Sequence, residues 1–359
     1  MRVVSLFREI FKDITTGTAK VTLWSCLLTL VCLGLVAWEG GTTSAILAKA
    51  NNFVNSGGSV IVLEAPGFVD GRACDQLTKI TNVRAAGAIR ERVDGLDVAV
   101  LPGRPIPAKD ATIGISQILD DNNSRALENG ALISADVAQT LGLAAGSSLI
   151  TRQAALLVSG IYNYPADGRR AGLGYAVVLA ADYTTPFDQC WVEVWPQSSE
   201  IRSIISSVLL SGANDSAAGV AVNQLNRKYG EYFTGTVDYK TRNSQSASLV
   251  AGLFGIVIGV AMITRRRVEI AAARHLGVPT AAHILMHVFQ AIFICIISMI
   301  AASPLVSWFY FRCDKQDRFA VVTDQLLVLA SLTTTVVISV LLAVAIVRRM
   351  SLDRLVRRR

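Results

Sequence analysis

Long apolar stretches alternate with mixed segments along this chain of 359 residues. Four stretches contain no Asp, Glu, Lys or Arg, and they cover residues 21–38, 246–263, 284–311 and 326–347. Each is close to or longer than the roughly 20 residues that a helix needs to cross about 30 Å of hydrocarbon. We therefore predict four transmembrane helices over these ranges.

The segment before the first predicted span has a pattern of its own. Within residues 1–20, apolar side chains recur at helical spacing, at Val3, Phe7, Ile10, Phe11 and Ile14. This is typical of an amphipathic helix that lies in the cytoplasmic interface of a membrane. A cleaved signal peptide is the alternative, but an apolar stretch of 18 residues exceeds the usual h-region of about 7–15. The pattern favours a retained anchor.

Residues 39–245, between the first two spans, have a mixed composition and predict a folded domain. Short runs rich in Val, Ile and Leu predict strands at residues 60–63, 98–101, 131–134, 156–158, 176–179 and 191–194. Helices are predicted at 134–141, with Ser134 as N-cap and Gly142 beyond its end, and at 198–210. The predicted fold class is an α-helical membrane protein with four transmembrane helices plus an α+β extracytoplasmic domain.

The distribution of charge predicts the orientation. The chain has 34 Lys and Arg against 27 Asp and Glu, a net charge of +7. Residues 1–20, 264–283 and 348–359 together hold 14 basic and four acidic residues, whereas 39–245 holds 17 basic and 20 acidic. Because basic loops stay inside, both termini and the 264–283 loop are predicted to be cytoplasmic. The 39–245 domain and the short 312–325 loop are then outside, 348–359 is a basic cytoplasmic tail, and a nucleic-acid partner is disfavoured.

The predicted spans are poor in ionisable groups and rich in small residues. They contain no Asp, Glu, Lys or Arg and a single histidine, His287, which argues against an ion-coupled transporter or a charged pore. Small side chains recur at four-residue intervals at Ala251, Gly255 and Gly259 and at Ser331, Thr335, Ser339 and Ala343. Such stripes let helices approach closely, either within one chain or between two chains, and the sequence leaves both open.

Motifs of common catalytic and metal sites are absent from the sequence. It contains no G-x-x-x-x-G-K-[ST], H-E-x-x-H, C-x-x-C or G-x-S-x-G, so we predict no enzyme and no metal site. His283 and His287 share a helix face but are better explained as interfacial side chains. Asp167, Arg169 and Arg170 could bind a polar ligand, but a solvated loop explains them more simply.

Cys74 and Cys190 are the two cysteines of the predicted outer domain. Disulfides form in oxidising compartments outside the cytoplasm. We therefore hypothesise that Cys74 and Cys190 form a disulfide.

The 264–283 loop combines arginines with an amphipathic helical pattern. Ile270, Ala273 and Leu276 are spaced at i, i+3 and i+6, and a helix with such an apolar face is suited to docking in a partner's groove. The loop resembles that of permease subunits of MacB/FtsX-type ABC transporters, in which arginines precede Glu-Ile and then Leu-Arg-x-Leu-Gly. The matching residues are Arg266, Arg267, Glu269, Ile270, Arg274, Leu276 and Gly277, whereas Ala273 replaces the usual Leu and Val268 interrupts the Arg-Glu step.

The resemblance extends over the whole chain. Its order of elements is that of the family, and residues 130–146 and 158–161 look like the MacB-type periplasmic core. Residues 351–357 are similar to the family's closing segment but lack its Asp and Pro. It implies a permease in a bacterial cell membrane that pairs with a second copy or a related permease and has lipid around it. It also implies two separate ATPase subunits, which use ATP and Mg while this chain binds no cofactor.

The function implied by the resemblance is coupling of ATP hydrolysis to motion of the outer domain. That motion would serve export of a peptide, lipid or hydrophobic compound, or activation of a periplasmic or extracellular partner. The alternative is a membrane-anchored receptor or scaffold without an ATPase.

Overall fold

The computed structural model of the chain describes residues 20–120, 126–198, 200–213, 219–230, 232–275, 277, 279–315 and 317–349. The amphipathic helix predicted over 1–20 and most of the basic tail lie outside these residues. The α-helices are α1 (Val21–Asn55), α2 (Gly71–Gln76), α3 (Ile115–Leu119), α4 (Ala126–Asn129), α5 (Ala135–Leu141), α6 (Ile201–Ile204), α7 (Gly235–Lys240), α8 (Ala247–Thr264), α9 (Arg267–His275), α10 (Thr280–Arg312) and α11 (Arg318–Arg349). The strands are β1 (Val60–Val69), β2 (Val83–Leu96), β3 (Ile106–Ala111), β4 (Ala131–Ser134), β5 (Ser148–Ile150), β6 (Ala155–Tyr162), β7 (Val177–Ala180), β8 (Phe187–Val194) and β9 (Ala221–Gln224).

The chain divides into two compact units. Residues Met1–Lys49 and Gly235–Arg359 form one, here called the helical unit, and Ala50–Thr234 form the other, the sheet unit. The predicted domain limits of 39 and 245 therefore differ from those of the structure. The first limit moves because α1 continues helically well past the end of its uncharged stretch at Trp38, as far as Asn55, and the second because residues 235–245 belong to the helical unit.

Among its described residues, the helical unit contains four helices that are long and apolar enough to cross a membrane. They correspond to the four predicted spans, but three of them, α1, α10 and α11, are longer. The 35 residues of α1 extend over about 52 Å, more than the hydrocarbon of a bilayer. Buried side chains from α1, α8, α10 and α11 form one continuous apolar cluster.

The sheet unit is built on a nine-stranded mixed sheet with the order β5-β6-β4-β7-β3-β2-β8-β1-β9. β8 pairs antiparallel with both β1 and β2, whereas β3 pairs parallel with β7 and β4 with β6. Apolar side chains fill both faces: Ile61 and Leu63 of β1 pack on one side with α2, and Val60 and Val62 pack on the other with Trp191. Both faces of β1 are therefore buried, as its uninterrupted apolar run requires.

Most of the predicted elements of this unit are confirmed. Strands occur at or around five of the six predicted positions, and α5 has Ser134 as N-cap and Gly142 in the left-handed conformation at its end. The strand predicted at 98–101 is wrong. The chain turns there, with the amide of Leu101 donating to the carbonyl of Val98, and Pro102 and Gly103 follow at once.

The helix predicted over 198–210 is only partly correct. It consists of the short α6 and a 3-10 turn over Ile205–Val208, with Ile201, Ile205 and Val208 buried. The apolar face was correctly predicted. A run of β-branched residues has low helix propensity, which is consistent with the tightening into a 3-10 turn.

Candidate functional site

The loop between the second and third membrane helices contains a short helix, α9, as its pattern predicted. Its two faces have different surroundings. Ile270 and Ala271 are buried at 1% and 3% exposure, and Ile270 belongs to the apolar cluster of the helical unit. Val268, Glu269 and Ala272 are exposed. The helix therefore uses one face to pack on its own membrane helices and leaves the other free.

This arrangement corrects one expectation from the sequence. We expected Ile270 to face a partner, but it packs against the chain's own helices, and α9 contacts α11. Ala273, from the same predicted face, is half-buried. Leu276 and the side chain of Arg274 lie outside the described residues.

Arg266 anchors the start of α9. Its Nε donates to Oε2 of Glu269 at 2.7 Å, and its Nη1 donates to Oε1 of Gln290 at 3.0 Å. Gln290 is a buried residue of α10, so the arginine joins the helix α9 to the third membrane helix. The sequence reasoning missed Gln290, although a lone amide inside an apolar run is a signal, because a buried polar side chain requires a partner.

The end of the 264–283 loop has a defined backbone conformation at Gly277. Gly277 has a φ of 80°, a left-handed conformation that side chains with a Cβ rarely adopt. Pro279 is the N-cap residue of α10. Arg267, the remaining predicted residue of this loop, is half-buried at the start of α9. The position of α9 is thus set by Arg266 at one end and by the Gly277 turn at the other.

The two predicted stripes of small residues face each other within one chain. A Cβ on Gly255 would lie 2.6 Å from the carbonyl oxygen of Leu332 and against Thr335, and one on Gly259 would lie 2.8 Å from the carbonyl oxygen of Val336. The hydroxyl of Ser331 donates to the carbonyl of Ser248 at 2.7 Å, and that of Ser339 donates to the carbonyl of Gly255 at 3.3 Å. Ala251 and Ala343 are buried in the same apolar cluster. The stripes therefore join α8 to α11.

Two predicted features lie in the sheet unit. Cys74 of α2 and Cys190 of β8 are joined by a disulfide, with their Cα atoms 5.8 Å apart. In the loop after β6, Arg169 bonds to Asp167 and to the carbonyl of Asn55, and Arg170 pairs with Glu64. These side chains therefore hold the loop in place.

A cavity of about 370 Å³ lies beside Arg170. Lys109 and Glu91 in its wall form an ion pair, and this contact lowers the pKa of the Glu91 carboxyl. The lining carries equal numbers of basic and acidic side chains, so its net charge indicates no ligand class; they are Arg90, Lys109, Arg170, Glu64, Glu91 and Asp188.

The His283 and His287 rings of α10 stack with their centroids 5.5 Å apart. Within the described ranges, no group of three or more His, Cys, Asp or Glu side chains is placed to hold a metal ion.

Comparison with known families adds to this geometry. Residues 246–352, which contain α8, α9, α10 and α11, match the family described as FtsX-like permease C-terminal. This part of the chain is an FtsX-like permease domain. Such a permease is the non-catalytic membrane component of an ABC transporter, a transporter driven by an ATPase partner. No curated protein sequence matches the chain.

The permease is also similar to two solved structures. One is the periplasmic region of MacB from Actinobacillus actinomycetemcomitans, at 7% identity and a TM-score of 0.36, over 54% of this chain and 96% of that one. The other is the extracellular domain of the noncanonic ABC-type transporter YknZ from Gram-positive bacteria, at 14% identity and a TM-score of 0.29, over 46% of this chain and 100% of that one.

Proposed function

We propose that this permease transmits ATP-driven movement of a separate ATPase subunit through its membrane helices to the sheet unit outside the membrane. The observation that carries the proposal is the two-sided α9. One face is packed into the helical unit through Ile270, while Val268, Glu269 and Ala272 remain exposed. A force applied to the exposed face of such a helix would be transmitted through its packed face to α10 and α11.

The exposed face has the chemistry of a docking surface. Val268 is 44% exposed and the Glu269 side chain 62% exposed, so an apolar contact and a carboxylate are presented together. Arg266 keeps the carboxylate oriented through its 2.7 Å hydrogen bond. We assign this face, with Arg267, Arg274 and Gly277 near it in sequence, to contact with the ATPase.

The composition of the spans is consistent with a mechanical role. The close approach of α8 to α11 at Gly255 and Gly259 makes a stiff helix pair, as transmission of movement requires. We propose two ATPase subunits that hydrolyse ATP with Mg and two permease copies or related permeases. The outer movement would expel a peptide, lipid or hydrophobic compound, or activate an envelope partner.

The docking role is tested by placing a charge on each of two alanines. Ala272→Glu alters the exposed face of α9, whereas Ala281→Glu puts the same charge on an exposed residue at the start of α10. We expect Ala272→Glu to abolish copurification of the ATPase from mild detergent, with the permease still present in the membrane fraction. Ala281→Glu should copurify the ATPase as the unaltered permease does.

Two results would contradict the proposal. If Ala272→Glu retains both the ATPase and its stimulated ATP hydrolysis, α9 is not the docking element. If no ATPase copurifies even with the unaltered chain, the receptor or scaffold alternative is favoured.

A further inference from the structure

A buried group of charges lies at the end of the helical unit where the chain enters and leaves the sheet unit. Glu39 of α1, Arg242 and Asp324 of α11 belong to three distant parts of the sequence. Their side chains are 2%, 12% and 18% exposed. Glu39 directly follows the uncharged stretch 21–38, and Asp324 lies two residues before the stretch 326–347.

Arg242 joins the two carboxylates. Its Nη2 and Nε donate to Oε1 of Glu39 at 3.0 and 3.2 Å, and the same Nη2 lies 3.1 Å from Oδ2 of Asp324. Tyr239 completes the group, because its hydroxyl donates to Oδ2 of Asp324 at 2.6 Å and its ring centroid lies 3.8 Å from the guanidinium carbon. We call Glu39, Tyr239, Arg242 and Asp324 the connector clamp.

The clamp has a topological consequence. The sheet unit is inserted between residues 49 and 235, so α1 and the segment from Gly235 to Ser246 are the two chain connections to it. Besides the Glu39–Arg242 pair, the hydroxyls of Thr42 and Ser244 lie 2.6 Å apart, and Lys49 Nζ lies 4.0 Å from Asp238. The two connections are thus joined to each other along their length, and Asp324 joins the second of them to α11.

Steric contact supports the same arrangement. A Cβ on Gly40 would lie 2.7 Å from the Phe309 ring and against Gln325, so α1 approaches α10 and α11 as closely as a glycine allows. Buried ions are stable only when paired with good geometry. Loss of the guanidinium would leave the buried Glu39 and the largely buried Asp324 without this cation, which favours separation of the helices that carry them.

We propose that Arg242 is a positioning residue for coupling: it keeps the two connections and α11 together throughout the ATP cycle, so that both ends of the sheet unit move as one. This inference rests on the proposed function. It predicts that a permanent bond between the connections leaves the movement intact, whereas loss of Arg242 uncouples the sheet unit from the spans.

The movement is measured in the full-length permease with its copurified ATPase. Spin-labelled unnatural amino acids replace Val93 in the sheet unit and Leu342 in α11, which are exposed at 97% and 54%, and the label separation is compared with and without ATP. We expect Arg242→Gln to lose most of the ATP-dependent change while it still copurifies the ATPase. Arg312→Gln, at an exposed arginine of α10, should keep both.

A disulfide replaces the clamp in the decisive variants. Because the Thr42 and Ser244 hydroxyls are already 2.6 Å apart, Thr42→Cys with Ser244→Cys is expected to form a disulfide at that position. Added to Arg242→Gln, the disulfide should restore the ATP-dependent change. In the otherwise unaltered permease, the disulfide should leave the ATP-dependent change in label separation unaffected. This second test does not depend on a destabilised variant.

The outcomes separate the two proposals. If the unaltered permease shows no ATP-dependent change, the proposed function fails. If it shows one and the disulfide blocks it, or if Arg242→Gln retains it, the role assigned to the clamp is overturned.

Discussion

The helical unit and the sheet unit solve the problem of packing in different ways. In the helical unit, α8 and α11 meet through Gly255, Gly259 and Ser339, so that backbone lies against backbone. In the sheet unit, large apolar side chains fill both faces of a sheet, and a disulfide joins α2 to β8. The contact between α8 and α11 thus depends on small residues, whereas large side chains fill the faces of the sheet.

The difference follows from the solvent of each unit. In water, burial of apolar area stabilises a fold by roughly 25 cal/mol per Å², so large side chains are effective. In lipid that driving force between helices is absent, and close van der Waals contact and interhelical hydrogen bonds replace it. The same glycine that would weaken a strand is therefore an advantage in a membrane helix.

The largest effect should come from the covalent bond of the sheet unit. Cys74→Ala with Cys190→Ala removes a link between residues 116 apart, which typically destabilises a domain by about 2–5 kcal/mol. We expect faster proteolysis of residues 50–234 in the full-length chain, with the four membrane helices still inserted. Cys26→Ala with Cys313→Ala, at free cysteines, is the control. An unchanged cleavage rate would mean that the apolar core alone holds the sheet unit.

The second effect tests the backbone contacts of the helical unit. Gly255→Ala should separate α8 from α11, because its Cβ would lie 2.6 Å from the Leu332 carbonyl oxygen, and overpacking of this kind typically destabilises by about 1–3 kcal/mol. Gly252→Ala is the matched control, since its nearest neighbour would be Ser331 Oγ at 3.4 Å. The measurement is loss of helical circular dichroism on titration with a denaturing detergent. If the two variants lose helical circular dichroism at the same midpoint of detergent, the interface between α8 and α11 accommodates the added methyl group.

The sequence predicts the helical unit better than the sheet unit, for a physical reason. A membrane-spanning helix must be apolar and uncharged over its whole membrane length, so a continuous apolar stretch of sequence marks its position. The strands β2 and β3 have no such stretch: β2 carries Arg84, Arg90, Glu91 and Arg92, and β3 reads Ile-Pro-Ala-Lys-Asp-Ala. They are strands because they pair with β8 and β7, a tertiary effect outside any local pattern.

The candidate site shows the same limit at the level of single residues. The loop pattern predicted α9 and its amphipathic character. Periodicity shows which residues share a helix face, but it does not show what that face contacts. Ile270 turned out to pack inward, and Val268 outward. No local pattern predicts the connector clamp, because Glu39, Arg242 and Asp324 meet only when α1, α11 and the segment between α7 and α8 have assembled.

The smallest effect concerns a titratable group of the sheet unit beside the disulfide. Asp75 of α2 accepts hydrogen bonds from the Thr112 hydroxyl at 2.6 Å and the Tyr183 hydroxyl at 2.7 Å. Burial raises the pKa of this carboxyl, although both hydrogen bonds act to lower it. Burial and the bond to Asp75 raise the pKa of Tyr183 to about 12.

The raised pKa of Asp75 gives a defined dependence on pH. A carboxyl with a folded pKa above its unfolded value of about 3.9 contributes stability below that value, and the contribution is lost as the pH rises through the folded pKa. We therefore expect protection of the α2 amides from hydrogen exchange, relative to Asp75→Asn at each pH, to fall across that window. Tyr183→Phe removes a donor to the carboxylate, so it should raise the pKa further and move the fall to higher pH. Asp94→Asn, at an exposed carboxylate, should leave the profile unaltered, and a Tyr183→Phe profile that coincides with the original would show that the hydroxyl has no influence on Asp75.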